Sequence, residues 1–117
     1  VIEDPVASVQ KIISLLGGRV LILKGPTTII VTSKRSILLM DHGPASLATA
    51  GTGDVLSGIL GALIAQGNLM DDASIAAVYL HAESAQIFKQ LVGSNGLTAS
   101  DVVAMIPAAL ESIYDVS

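Results

Sequence analysis

Three short apolar runs crowd into residues 20–40, and beyond them the chain carries helical periodicity to its end. Val20-Leu21-Ile22-Leu23 is unbroken and of strand length, Thr28-Ile29-Ile30-Val31-Thr32 is β-branched, and Ile37-Leu38-Leu39-Met40 is a third run. Such residues suit a pleated surface, and continuous runs read as strands covered on both faces. Gly25-Pro26 separates the first run from the second, and the polar stretch from Ser33 to Ser36 makes a hairpin of the second and third. A three-stranded piece is thin for the amount of helix that accompanies it. A parallel sheet in particular needs cover on both faces, so more sheet is expected outside this chain.

Upstream, Asp4-Pro5 followed by Val6, Val9, Ile12, Ile13 and Leu16 has the spacing of an amphipathic helix that Gly17-Gly18 stops. Downstream, a helix is predicted from about Asp54 to Gln66, with Val55, Leu56, Ile59, Leu60, Leu63 and Ile64 on its apolar face. Its other face is small (Ser57, Gly58, Gly61, Ala62, Ala65). Interior glycines cost roughly 1 kcal/mol each, so close packing is expected there. A long helix follows from Asp71-Asp72 to about Val92, its stripe running from Ile75 through Phe88 to Leu91 or Val92. Thr98 then fits as an N-cap with Asp101 three residues on, Leu97 stapling to Val102. The last helix reaches about Tyr114, with Pro107 expected to kink it. The pattern is α/β, with a few strands and about four helices.

Composition narrows the partners. The 117 residues are 51% hydrophobic and 14% charged, with mean hydropathy +0.71, against about 25% charged in ordinary domains. The longest helical stretch without charge, Val55 to Met70, falls short of the roughly 20 apolar residues of a membrane span. No membrane partner is expected. The apolar excess instead predicts a covering segment or a homo-oligomer. Six basic residues and a net charge of −4 make nucleic acid a poor partner. The lack of cysteine removes disulfides and thiolate metal sites and fits a cytoplasmic enzyme.

Chemistry concentrates in Ala50-Gly51-Thr52-Gly53-Asp54-Val55-Leu56. Glycines at a loop-to-helix junction let backbone approach a ligand closely. The first N–H groups of a helix have no internal partner, and together with the dipole they favour an anion, phosphate above all. Gly51, Thr52 and Gly53 are thus the expected anion hole. Asp54 could simply cap the helix. Beside a phosphate, however, a carboxylate is unfavourable unless it has a task, and the fitting task is to take a proton from an attacking hydroxyl. Lys24-Gly25-Pro26-Thr27-Thr28 offers an ammonium, a tight turn and two hydroxyls that could line a nucleotide, or alternatively a solvated lysine in a β-turn. His81 and Glu83, two apart on a helix, point away from each other and read as structural rather than as a metal pair. His42 has no partner for a catalytic triad. Leu56 stands where a dinucleotide turn needs its third glycine, and there is no P-loop lysine. No protein metal ligands are expected.

These residues together resemble a known family. Leu23-Lys24-Gly25-x-x-Thr28, the run Leu47-Ala48-Thr49-Ala50-Gly51-Thr52-Gly53-Asp54-Val55-Leu56-Ser57-Gly58, Tyr79-Leu80-His81-Ala82 and Gly96-Leu97-Thr98-Ala99-Ser100-Asp101 are similar to the ADP/ATP-dependent NAD(P)H-hydrate dehydratases of the ribokinase-like superfamily. The resemblance implies a three-layer α/β/α fold, present here as the C-terminal half of one domain (residues 1–117), with the N-terminal half missing as a partner. It implies dehydration of hydrated NADH or NADPH by phosphorylation of the ring hydroxyl and loss of phosphate. Asp54 would contact and activate that hydroxyl. Lys24 through Thr28 would meet ADP or ATP, with Gly53 nearby, and Mg²⁺ would accompany the phosphates. The sequence departs from the family at Asp41-His42-Gly43-Pro44-Ala45-Ser46, where an Asn-Pro-Gly-like run is usual, and in lacking a Pro-His-x-Gly-Glu-type substrate segment. Two other readings remain open: a vitamin-precursor or sugar kinase of the same superfamily, and an inactive nucleotide-binding fragment.

Overall fold

The computed structural model describes residues 20–24, 27–34, 36–41, 43–44, 52–93 and 96–116, with side chains as far as Ser112. The helix expected over residues 4–17 lies outside them. The three runs are strands: β1 (Leu21–Leu23), β2 (Thr28–Val31) and β3 (Ile37–Met40). They lie side by side in the order β1-β2-β3. Leu21 pairs with Val31 and Leu23 with Ile29; Thr28 pairs with Met40 and Val31 with Ile37. Both pairings are antiparallel, so the sheet is a meander and the parallel arrangement considered above does not apply. Four residues separate β1 from β2, and so short a link can only reverse the chain.

Three helices follow: α1 (Thr52–Ala65), α2 (Met70–Leu91) and α3 (Ala99–Val116). Among the described residues they lie against one face of the sheet. Ile30, fully buried in the middle of β2, joins Leu56 and Ile59 of α1, Ala77, Val78 and Leu80 of α2 and Ala109 of α3 in the main core. Ile29 and Val31 point the other way and gather Leu21, Leu23 and Ile37 around them. The alternation along β2 is the two-residue period of a strand with apolar contacts on both sides.

Helix α2 occupies the centre of the helical layer. Its buried positions run from Ala73 to Phe88 and include Ser74, His81 and Ser84. The predicted stripe overshoots, because Leu91 and Val92 are exposed. Asp71 does not cap its own helix. It receives the Ser33 backbone N–H at 2.8 Å and the Ser33 hydroxyl at 2.7 Å, fastening the β2–β3 turn to the start of α2. Helix α3 begins as the sequence predicts. Thr98 and Asp101 bond reciprocally, and Leu97 and Val102 are buried together with Ala85 and Phe88. The helix continues through Pro107.

The small-residue face of α1 departs from expectation. Ser57, Gly58, Gly61, Ala62 and Ala65 are exposed, and among the described residues a Cβ at Gly58 or Gly61 would meet nothing within 4 Å. Close packing therefore does not explain these glycines here. The face opens instead onto a groove of about 860 Å³ between α1 and α3, with Asp54 at one end, Gln66 and Leu110 also lining it, and Ile59 and Leu80 among its walls. No described helix is long and apolar enough to cross a membrane.

Candidate active site

The predicted site residues divide into those the structure brings together and those it does not describe. Gly51, Gly25 and Pro26 lie outside the described residues. Thr52, Gly53 and Asp54 are the first three residues of α1, which begins two residues before the predicted start at Asp54. Thr52 is buried and Asp54 exposed. The residue preceding α1 is a glycine, which has no side chain to act as a cap. The Ser57 hydroxyl donates back to the Gly53 carbonyl at 3.1 Å, which leaves the Gly53 N–H untouched.

Lys24 reaches this turn from the far end of β1. Its ammonium lies directly over the Gly53 α carbon, in the space that a Cβ would fill. A glycine at position 53 leaves room for this approach: any side chain would have to displace the flexible end of Lys24. Lys24 is itself exposed. The parallel-sheet rule that ligands gather beyond strand carboxyl ends does not account for its position in an antiparallel meander. Its proximity to the start of α1 does. The register that pairs Leu23 with Ile29 also carries Lys24 and Thr28 to one end of the hairpin, with Thr27 just before β2.

The electrostatics of this arrangement are one-sided. The start of a helix carries roughly half a positive charge, and Lys24 adds a full one beside it. Two positive groups held together call for an anion. Asp54 is close in sequence, but among the described residues no ion pair joins it to Lys24 and no hydrogen bond reaches its carboxylate. Asp54 is thus an exposed carboxylate beside this turn, without a side-chain hydrogen bond of a cap among the described residues.

One residue was assigned only a structural role in the sequence. His81, buried on α2, places Nε2 2.8 Å from the Thr52 carbonyl oxygen, tying the centre of the molecule to the first residue of α1. Burial holds its pKa below the ordinary 6.5, the bond to Thr52 opposes that shift, and the charge of Lys24 adds to it. Its neighbour Glu83 points elsewhere and accepts the Tyr79 hydroxyl at 3.0 Å, as the two-residue spacing predicts. Burial chiefly, and Glu83 next, push the Tyr79 pKa above 10.0.

The described residues contain no group of three His, Asp or Glu able to hold a metal ion. Mg²⁺ commonly keeps its waters and rides on phosphate oxygens with one or two carboxylates at most. A phosphate seated between Lys24 and the start of α1 suits that mode.

A family model described as NAD(P)H-hydrate dehydratase matches residues 2–108. The chain is 40% identical over 107 residues to the ADP-dependent (S)-NAD(P)H-hydrate dehydratase of Neisseria meningitidis, covering 91% of this chain and 35% of the relative. It is 39% identical over 93 residues to the bifunctional NAD(P)H-hydrate repair enzyme of Dictyoglomus turgidum, covering 80% of this chain and 18% of that protein. Among solved structures, the ADP/ATP-dependent NAD(P)H-hydrate dehydratase from Bacillus subtilis, co-crystallised with ATP and Mg²⁺ and soaked with CoA, superposes with a TM-score of 0.75. That match has 26% identity and covers 92% of this chain and 43% of the other. The chain thus spans well under two thirds of these proteins.

Proposed function

The chain belongs to the NAD(P)H-hydrate dehydratase family, and from that premise we propose that it serves the nucleotide-dependent dehydration of hydrated NADH or NADPH. Residues 1–117 are taken as part of one ribokinase-like domain whose further length, supplied by the rest of the protein or a separate piece, completes the substrate wall. The observation that carries the reading is the placement of Lys24 over Gly53 at the start of α1, with Asp54 exposed beside it.

The nucleotide, ADP or ATP with Mg²⁺ on its phosphates, would supply a phosphoryl group that turns the ring hydroxyl into a leaving group. The backbone N–H groups of Gly51, Thr52 and Gly53 hold the charge on the transferring phosphate. Lys24 neutralises the same charge from above, and Thr27 and Thr28 offer hydroxyls along the nucleotide. Asp54 accepts the proton of the substrate hydroxyl as its oxygen attacks phosphorus. Loss of phosphate and of a ring proton then restores the double bond of NADH or NADPH. Such a substrate and nucleotide suit a cytoplasmic enzyme. The open groove beside α1 suits a covering segment or a second copy, and mass measurement in solution separates the two.

The test is to incubate the full-length protein with NADH hydrate and ADP or ATP and to follow NADH absorbance. Regeneration that is lost in Asp54→Asn is the expected result. A phosphorylated alcohol that accumulates without dehydration would instead favour the superfamily's kinase chemistry. Absence of both with nucleotide still bound would leave the inactive-fragment reading.

A further inference from the structure

His81 is 6% exposed, and a buried imidazole has two ring nitrogens to satisfy. A carbonyl oxygen can only accept, so the 2.8 Å contact with Thr52 places the hydrogen on Nε2. Burial keeps the ring neutral, and the nearby Lys24 charge works in the same direction. A neutral ring has a single N–H, and it is committed to Thr52. The carbonyl it holds belongs to the peptide unit whose other side is the N–H of Gly53. That unit is planar and trans, so the oxygen and the hydrogen point in opposite directions. Holding the oxygen towards α2 aims the Gly53 N–H away from the core, on the residue over which Lys24 lies.

We propose that His81 is a positioning residue for the anion hole: its Nε2–H bond to the Thr52 carbonyl orients the Thr52–Gly53 peptide so that the Gly53 N–H faces the bound phosphate. This rests on the anion-hole reading proposed above, and here on its described residues Thr52 and Gly53. The interaction also polarises the peptide it holds, which strengthens the N–H on its far side as a donor. The role lies beyond packing, because an apolar side chain of similar volume would fill the space and remove the N–H that reaches the Thr52 carbonyl from α2. It also gives a reason for a titratable ring on the buried side of α2, where the other buried polar residues are Ser74 and Ser84.

The test uses the full-length protein with His81→Leu, which fills the site without a donor, and His81→Gln, whose side-chain amide can donate in place of Nε2. The expected result is a fall in kcat of about 10- to 100-fold in His81→Leu, with ADP affinity weakened, and recovery of most of both in His81→Gln at similar thermal midpoints. Nitrogen-15 spectra of the wild-type imidazole should show a neutral ring protonated at Nε2. Equal impairment in the two variants, no impairment in either, or a ring protonated at Nδ1 would each overturn the proposal. Wild-type protein that binds ADP but regenerates no NADH would overturn the dehydratase reading instead, and ADP affinity in the two variants would still decide the role of His81.

Discussion

Helices α1 and α3 both carry aspartate as their third residue, and the two carboxylates do different things. Asp101 turns back on its helix: its Oδ2 accepts the Thr98 backbone N–H and the Thr98 hydroxyl, each at 2.9 Å, while the Thr98 Oγ1 accepts the Asp101 N–H at 3.3 Å. That start is closed. Asp54 makes no such bond among the described residues, its helix is preceded by a glycine, and a lysine ammonium stands over Gly53. That start is open. A carboxylate in the first turn costs nothing structurally at either place, but only the closed one uses it for stability. The lesson is that the same residue at the same helical position is a cap or a candidate base according to whether the preceding residue can reciprocate.

The contrast breaks most readily at Asp54. Asp54→Asn should lower NADH regeneration about 10²- to 10⁴-fold, the range for removal of a general base, without lowering the thermal midpoint; a variant with undiminished turnover would return Asp54 to a surface role. Gly53→Ala comes next. Its Cβ would take the place of the Lys24 ammonium, a flexible tip that can swing away, so the fold should tolerate it. Alanine is favoured over glycine inside a helix by up to about 1 kcal/mol. Stability should therefore hold or rise while turnover falls about 10- to 100-fold through the displaced lysine, a split read by pairing a melt with a rate. Asp101→Ala should do the reverse, costing about 0.5–2 kcal/mol of stability in denaturant titration and leaving the rate per folded molecule unchanged.

The smallest effect is with pH. The folded pKa of His81 is lowered, so the unfolded chain takes up the proton first as the pH falls. The stability tied to the neutral, buried ring is full above about 6.5 and declines below it. The Asp71 pKa is lowered by its bonds from Ser33, so the contribution of that clamp is present above 3.8 and is lost at lower pH. Acid titration of the melting temperature should show the His81 stage first, and His81→Gln should remove that stage alone.

Much of this was legible in the chain. The three strands, the capping box at Thr98 and the staple between Leu97 and Val102 depend on neighbours a few residues apart, where local rules are strong. The direction of β1 against β2 was also readable, because a four-residue link cannot cross over to a parallel partner. The exposure of Gly58 and Gly61 was not, since the face a helix buries depends on what lies beyond it. The bond from His81 to Thr52 was hidden for the same reason. The spacing of His81 and Glu83 excludes a metal pair, but no local pattern ties an imidazole to a carbonyl 29 residues away.

That separation has a kinetic consequence. His81 joins Thr52 across 29 residues, and Lys24 meets Gly53 across an equal span, whereas the hairpins and the Thr98–Asp101 box close over a handful. Closing a longer loop costs more chain entropy before any contact repays it. The hairpins and the Thr98–Asp101 box can therefore form first, and the two links at the start of α1 close later, as does the Ser33–Asp71 clamp across 38 residues. Both α1 links meet at a helix end, the kind of place where local opening costs least. Amide exchange at Gly53 and Asp54 should run ahead of exchange in the middle of α2, so the working end of α1 would loosen while the rest of the molecule is still folded.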